Sequence, residues 1–157
     1  MEPQFLPAVL SDLDAIIAMM RDLYASDGLP FPRHGPEALE LLLNNPAYGY
    51  CEIITDMKVH IGYFVIGFGF SLEFGGRDAF LDELYIVRSA RNQGLGRAAV
   101  ARAINVCKEA GIRSLHLEVN SKNIAAQRLY RGAGFTPRHS GYDLLTLRLD
   151  GTAHEAH

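Results

Sequence analysis

The sequence predicts a mixed α/β domain whose antiparallel strands come first and whose later strands alternate with helices. Three observations point to it. Three β-branched and aromatic runs follow one another from Tyr48 to Val87 with only tight turns between them. Two later segments, Gly94 to Ala110 and Asn123 to Arg131, read as helices that stop at glycine. Between these groups a loop with two glycines opens the first of the two helices.

Taken in order, Gln4 to Leu10 reads as a short first strand. Ser11, with Asp14 three residues on, makes an approximate capping box, and Leu13, Ile16, Ile17, Met20 and Leu23 follow at helical spacing. Ser26 to Pro36 holds Gly28, Pro30, Pro32, Gly35 and Pro36, too much punctuation for a regular element, and is the expected mobile flap. A short helix is expected from near Pro36 to Asn44, with proline in its first turn. The three strands are Tyr48 to Thr55, Val59 to Leu72 and Ala79 to Val87, joined by Asp56-Met57-Lys58 and by Glu73 to Asp78 with its Gly75-Gly76 pair. Ser114 to Val119 is a further strand, and Gly132 and Gly134 end the helix that follows it. Phe135 to Arg138 and Tyr142 to Leu149 are expected to close the domain as strands. The order is β-α-α-β-β-β-α-β-α-β-β with about four helices: one domain over residues 1–149 and a frayed tail over 150–157. No internal repeat or low-complexity segment interrupts it.

Composition narrows the function classes. Hydrophobic residues make up 48% and charged residues 21% of the 157, the balance of a soluble globular protein. The longest apolar stretch, Val59 to Leu72, is broken by Gly62, Gly67 and Gly69 and is short of a membrane span. No signal-peptide pattern opens the chain, so a cytoplasmic location without membrane partners is expected. A net charge of −3 without a Lys/Arg run gives no nucleic-acid footprint. Cys51 and Cys107 sit alone in apolar patterns, as small buried hydrophobes do, and the six histidines lack HxxxH spacing, so no metal site is expected.

The segment Ile86 to Ala98 carries the strongest chemical signal. A strand, a glycine loop and a helix start form an anion-binding arrangement, because glycine lets backbone approach the ligand and the helix N-terminus presents unpaired N–H groups with a favourable dipole. Arg91 and Arg97 flank the loop. Gly94-Leu95-Gly96-Arg97-Ala98-Ala99 also satisfies the dinucleotide fingerprint G-x-G-x-x-A, with Glu118 near the place of the ribose-binding acid, so an NAD-binding oxidoreductase is the rival reading. Against it, Arg88 to Gln93 separate strand from glycine, and too little chain follows Glu118 for further βαβ units.

Leu81-Asp82-Glu83-Leu84-Tyr85-Ile86-Val87 followed by Arg91-x-x-Gly94-x-Gly96 resembles the cofactor motif of the GNAT N-acetyltransferase superfamily, and Asn123-x-x-Ala126-x-x-x-Tyr130-x-x-x-Gly134-Phe135 resembles its second motif. Together they cover about Phe80 to Phe135. The resemblance implies the GNAT acyl-CoA acyltransferase fold, a mostly antiparallel mixed sheet with a splayed central strand pair, and acetyl-CoA as acyl donor without a metal. It implies that the donor lies where the strand ending at Val87 parts from the one starting near Ser114. Backbone groups of Leu84 and Ile86 would pair with the pantetheine like an added strand. Amides from Asn92 to Arg97, those of Gln93, Gly94 and Gly96 among them, would hold the pyrophosphate with charge-assisted contacts from Arg91 and Arg97, while Asn123 bonds the pantetheine arm and Ala126 leaves it room. It allows a homodimer through the C-terminal strands, a common arrangement in the family. A GNAT domain that holds CoA without turnover is the alternative to catalysis.

Acetyl transfer needs a neutral amine, an oxyanion stabiliser and an acid for the departing thiolate. The resemblance makes Tyr130 the acid and a backbone N–H near Leu84 the carbonyl polariser. Asp82 and Glu83 are the candidate bases; as ordinary residues they would form salt bridges to nearby arginines, just as Tyr130 would pack its helix on the sheet. Strand alternation sends the two acids to opposite faces, with Asp82 sharing the face of Leu84 and Ile86, unless a bulge redirects Glu83. Leu29, Phe31, Arg33 and His34 of the flap, the strand Tyr63 to Phe70, and Tyr142 are the candidates for the acceptor pocket. Glu73, Asp82 and Glu83 favour a small cationic amine, and the run Ser71 to Arg77 with the acidic pair resembles the small-amine branch of the family, including diamine and aminoglycoside acetyltransferases.

Overall fold

A computed structural model describes residues 2–139, 141 and 144–149. Its centre is one five-stranded sheet in sequence order: β1 (Gln4–Pro7), β2 (Gly49–Asp56), β3 (Val59–Ser71), β4 (Gly76–Ile86) and β5 (Ser114–His116). The first four strands are antiparallel neighbours, and β5 lies parallel to β4. A sheet with one parallel pair is not the repeated βαβ frame of a dinucleotide-binding domain, so the oxidoreductase reading falls on topology.

Helices cover both faces. Helices α1 (Leu13–Asp27) and α2 (Gly35–Asn44) pack on one face, where Ile16, Met19, Met20 and Leu39 meet Cys51, Ile53, Tyr63, Val65 and Tyr85. Helix α3 (Leu95–Glu109) covers the other, with Ala103, Val106 and Cys107 against Phe64, Ile66, Ala79 and Leu81. Helix α4 (Ile124–Gly132) lies beside α3. Cys51 and Cys107 are free and buried, and burial pushes their thiols up to about 12 and about 11, which keeps them protonated and inert.

Several expected boundaries move for local reasons. Before α1, a 3₁₀ turn at Leu10–Asp12 intervenes, and the reciprocal cap comes from Asp12, whose carboxylate accepts the Val9 N–H at 2.9 Å, instead of from Ser11 and Asp14. Helix α1 runs on to Asp27 and ends at left-handed Gly28, which shortens the expected flap from its front. In the loop that remains, Phe31 is gripped by Arg21 stacked over its ring at 4.2 Å and by Tyr24 edge-on at 6.0 Å. Strand β4 starts three residues early because Ser71 and Gly76 already pair across the hairpin.

The expected strand Ser114 to Val119 is only three residues long. Its ladder with β4 covers Asp78–Ser114, Ala79–Leu115 and Phe80–His116 and then stops, while β4 continues to Ile86. The two strands therefore part after Phe80, and this is the splay that the resemblance implies. The expected strands Phe135 to Arg138 and Tyr142 to Leu149 are corrected. Tyr142 and Asp143 lie outside the described residues. Among the described ones, 135–138 and 144–149 join no ladder. Gly134 (φ +99°) turns the chain after α4, and Arg138 and His139 then reach Glu73 through their side chains at 2.6 and 2.9 Å, in place of backbone pairing.

Candidate active site

The parting of β4 from β5 leaves a backbone edge open. The Val87 N–H bonds Ile61 of β3 at 3.0 Å, and successive residues of a strand direct their backbone groups to opposite edges. Ile86, and Leu84 two residues before it, therefore turn their N–H and C=O away from β3 and toward the gap. The Ile86 carbonyl bears this out: it accepts the Arg91 Nε–H at 2.8 Å.

The gap opens into a cavity of about 360 Å³ lined by Leu84, Ile86, Arg91, Asn92, Gly96, Asn123, Ala126 and Tyr130, among others. One wall is the loop into α3. Asn92 and Gly94 both have positive φ, +61° and +80°, and Gly94 is the residue from which α3 starts. The Gly94 carbonyl already accepts the Ala98 N–H at 3.1 Å, so the N–H groups of the first helical turn are the orphans that a helix start offers to an anion. A side chain at Gly96 would come within 3.3 Å of Leu129, so this glycine also lets α3 and α4 approach closely. Gln93 and Gly94 on the same loop, and Arg97 in the first turn of α3, are exposed outside the cavity lining. Three of the polar residues already have work: Arg91 holds the Ile86 carbonyl, Gln93 reaches the Ser89 carbonyl at 3.3 Å, and the Asn123 side-chain oxygen caps α4 by accepting the Ala126 N–H at 3.0 Å. The amide NH₂ is the end of Asn123 left outside that cap.

Tyr130 stands where this cavity meets a second one of about 790 Å³; Glu118 and Val119 line both as well. Its ring packs edge-on against Phe135 at 5.9 Å, and burial first, then the charge of Asp27, push its phenol above the usual tyrosine range. It holds its proton at neutral pH and is available as an acid.

The acidic pair is arranged otherwise than alternation predicts. Strand β3 pairs Val65 with Glu83 but Ile66 with Leu81, so Asp82 is an extra residue in β4, a bulge. Ala79 and Leu81 face α3 before the bulge; after it Leu84 takes that face and Tyr85 turns to the α1 side. The shift puts both carboxylates on the α1 side of the sheet. Asp82 thus does not share the face of Leu84 and Ile86.

Their environments differ. Glu83 is buried and accepts the Tyr63 phenol at 2.8 Å. Desolvation outweighs the help of the Tyr63 and Tyr24 phenols and, together with the nearby charge of Asp82, holds the Glu83 carboxyl above its usual range. Asp82 reaches the surface, but the neighbouring protein desolvates it enough to raise its carboxyl too. Neither acid has an arginine or lysine partner among the ion pairs of the described residues, so the salt-bridge reading of both is unsupported.

The sequence assigns no role to Tyr24 or Asp27. Tyr24 does carry a signal, since it continues the Ile16–Met20 stripe of α1 at a spacing of four. Tyr63 lies in the strand expected to line the acceptor pocket, and only the structure shows its phenol on Glu83.

Known proteins show the same pattern. The model of the acetyltransferase (GNAT) family matches residues 17–135. A thialysine N-epsilon-acetyltransferase of Mus musculus is 26% identical over 155 residues, covering 91% of this chain and 89% of that one. A mycothiol acetyltransferase of Beutenbergia cavernae is 38% identical over 63 residues, but that match spans only 21% of its length. Among solved structures, an integron cassette protein from the mobile metagenome of Cole Harbour Salt Marsh superposes with a TM-score of 0.80 at 31% identity, covering 97% of this chain and 94% of that one.

Proposed function

The chain belongs to the acetyltransferase (GNAT) family, and on that premise we propose that it moves an acetyl group from acetyl-CoA to a primary amine of a small cationic acceptor, by direct attack in a ternary complex. The observation that carries this reading is that one cavity holds the open backbone edge of Leu84 and Ile86, residues of the α3 loop, and the Tyr130 phenol. A long donor with a pyrophosphate at one end and a thioester at the other matches that sequence of groups.

In this reading Arg91, Asn92, Gln93, Gly94, Gly96 and Arg97 hold the pyrophosphate with the orphan amides of α3. Leu84 and Ile86 pair with the pantetheine arm, Asn123 bonds it and Ala126 leaves it room. The Leu84 N–H polarises the thioester carbonyl. Asp82, the more exposed acid, takes the proton of the incoming ammonium, and the freed nitrogen lone pair attacks the carbonyl carbon. As the C–S bond breaks, the Tyr130 phenol protonates the leaving sulfur, and the acylated nitrogen sheds its extra proton, through water, to the phenolate, which leaves a neutral amide. Asp27 and Glu118 line the donor cavity, Asp82 and Glu83 lie outside its lining on the α1 side of β4, and this acidic set favours a cationic acceptor; the mouse relative's name, with its ε-amino acceptor, supports a small amine. Two free buried cysteines suit a reducing compartment such as the cytoplasm.

The test is thermal shift with acetyl-CoA, CoA and NAD(H), followed by thiol release over a panel of diamines, aminoglycosides and amino acids. Stabilisation by both CoA forms and turnover with a cationic amine is the expected result. Stabilisation without any turnover would favour the non-catalytic alternative. Asp82→Asn should lower kcat/KM for the amine by about 10²-fold and leave the acetyl-CoA Kd within about twofold. Gly94→Ala probes the other end of the cleft. A side chain at φ +80° costs roughly 1–2 kcal/mol unless the loop relaxes, and relaxation moves the amides off the pyrophosphate. Calorimetric titration should show acetyl-CoA binding weakened by about tenfold.

A further inference from the structure

We infer that Asp27, the last residue of α1, is a specificity-determining residue: its carboxylate holds the positive charge that the acceptor keeps while a second amine is acetylated, which makes the acceptor a small diamine. The inference rests on the reading that the cavity beside Leu84 and Tyr130 is the transfer site. It deepens that reading, since neither sequence motif nor the acidic pair of β4 fixes how many charges the acceptor carries.

The first observation is where Asp27 stands. With Leu23 and Ser26 of the same helical turn it lines the cavity that also holds Leu84, Arg91 and Tyr130. The two ends of that cavity differ in charge. Arg91 and the start of α3 make one end positive, the end that suits a pyrophosphate. Asp27 belongs to the other end, because its charge bears on the Tyr130 phenol. A carboxylate beside the phosphates would oppose the donor, whereas one beside Tyr130 stands where thioester and acceptor meet.

The second observation is its place on the helix. The last turn of a helix carries the negative end of the dipole and favours Lys, Arg or His. Helix α1 has no basic residue in its last turn and ends on Asp27. The Ala25 and Tyr24 carbonyls are taken by the N–H groups of Gly28 and Leu29. The Ser26 carbonyl has Pro30 four residues on, which has no N–H to offer. A carboxylate and a spare carbonyl thus share one helix end. Among the described residues Asp27 enters no ion pair, and Arg91, the cation in the same cavity, is held on the Ile86 carbonyl at 2.8 Å. The negative charge opposes its own helix and has no cation within the fold, while a cation arriving from outside satisfies carboxylate and dipole together.

That site suits the amine that does not react. The attacking nitrogen has to give up its proton, and a carboxylate held against an ammonium stabilises the charged form. Asp27 therefore serves a group that stays protonated, as an alkylammonium does at neutral pH. The other amine is left free to meet the thioester, with Asp82 as its base.

The test compares the terminal diamine of butane with butylamine, which has the same chain and one charge. In calorimetric titrations with CoA present, wild type should bind the diamine about tenfold more tightly. Asp27→Asn should lose that preference, Asp27→Glu should keep most of it, and CoA affinity should stay within about twofold in both. In turnover, Asp27→Asn should raise the diamine KM by about tenfold and change kcat less. Because it removes a charge from the negative end of a helix, its Tm should equal or exceed that of wild type, which loss of a structural residue would not give. A wild-type protein without the diamine preference overturns the inference. So does a preference kept in Asp27→Asn, or one lost together with a lowered Tm. If CoA and the diamine bind with that preference and no amine is acetylated, the acetyl-transfer reading fails and the role of Asp27 stands. If CoA does not bind, the same comparison without it decides the role of Asp27 alone.

Discussion

Tyr130→Phe should lower kcat for amine acetylation by about 10²–10³-fold while leaving acetyl-CoA affinity within about twofold. The substitution removes one oxygen and keeps the ring, so the edge-on contact with Phe135 at 5.9 Å and the packing against the α3-side core survive. The hydrogen bond from the Phe135 N–H to residue 130 uses the backbone carbonyl and survives too. What disappears is the phenolic proton that the proposed mechanism delivers to the leaving sulfur. Because the phenol is raised above the usual tyrosine range, the wild-type alkaline limb of kcat should lie beyond that of a free phenol, and it should vanish in the variant. Asp27 contributes to that rise, so Asp27→Asn should bring the alkaline limb back toward neutrality without abolishing turnover. Steady-state thiol release over a pH series measures both effects. Full activity in Tyr130→Phe would assign protonation of the thiolate to water.

The parts of this cleft that were legible in the sequence are those encoded locally. Gly94 and Gly96 announce a loop that opens a helix, because glycine acts through its own backbone, whereas the cap that Asn123 supplies to the Ala126 N–H emerges only in the structure. Leu84 and Ile86 could be placed because strand alternation holds from the bulge to the end of β4. The bulge itself is not a local property. It exists only in the register between Val65–Ile66 and residues 81–83, and no glycine or proline marks it in β4, so alternation counted straight through it and put Asp82 on the wrong face. The length of β5 was hidden for the same reason: Leu117, Glu118 and Val119 look like strand, but their neighbour β4 has diverged. Likewise the leucines at 144, 145, 147 and 149 have a strand-like composition, yet they stay 75–90% exposed with no ladder to join among the described residues. Composition predicts what a segment could pair with, whereas pairing depends on who is adjacent.

Arg102→Ala should destabilise the fold by about 2–4 kcal/mol. Glu52 on β2 is fully buried, and Arg102 of α3 grips it with Nε at 3.1 and 3.0 Å from its two oxygens and Nη2 at 2.6 Å, while Tyr50 donates its phenol at 2.7 Å. Removing the arginine leaves a carboxylate in the core with one neutral donor. Breaking a fully buried pair costs about 3–5 kcal/mol, and the figure is reduced here because a third of the arginine side chain is exposed and water screens it. Urea denaturation of the variant against wild type measures the loss. The companion experiment is Glu52→Leu with Arg102→Met, which exchanges the ion pair for apolar groups and should recover most of the loss, since a charge left unpartnered costs more than a pair replaced. Equal instability in the single and the double variant would mean that the contact positions α3 in some way beyond neutralising Glu52. Acetyl-CoA affinity separates those cases, because Leu95 and Gly96 begin the same helix and a displaced α3 would carry the loop proposed to hold the donor with it.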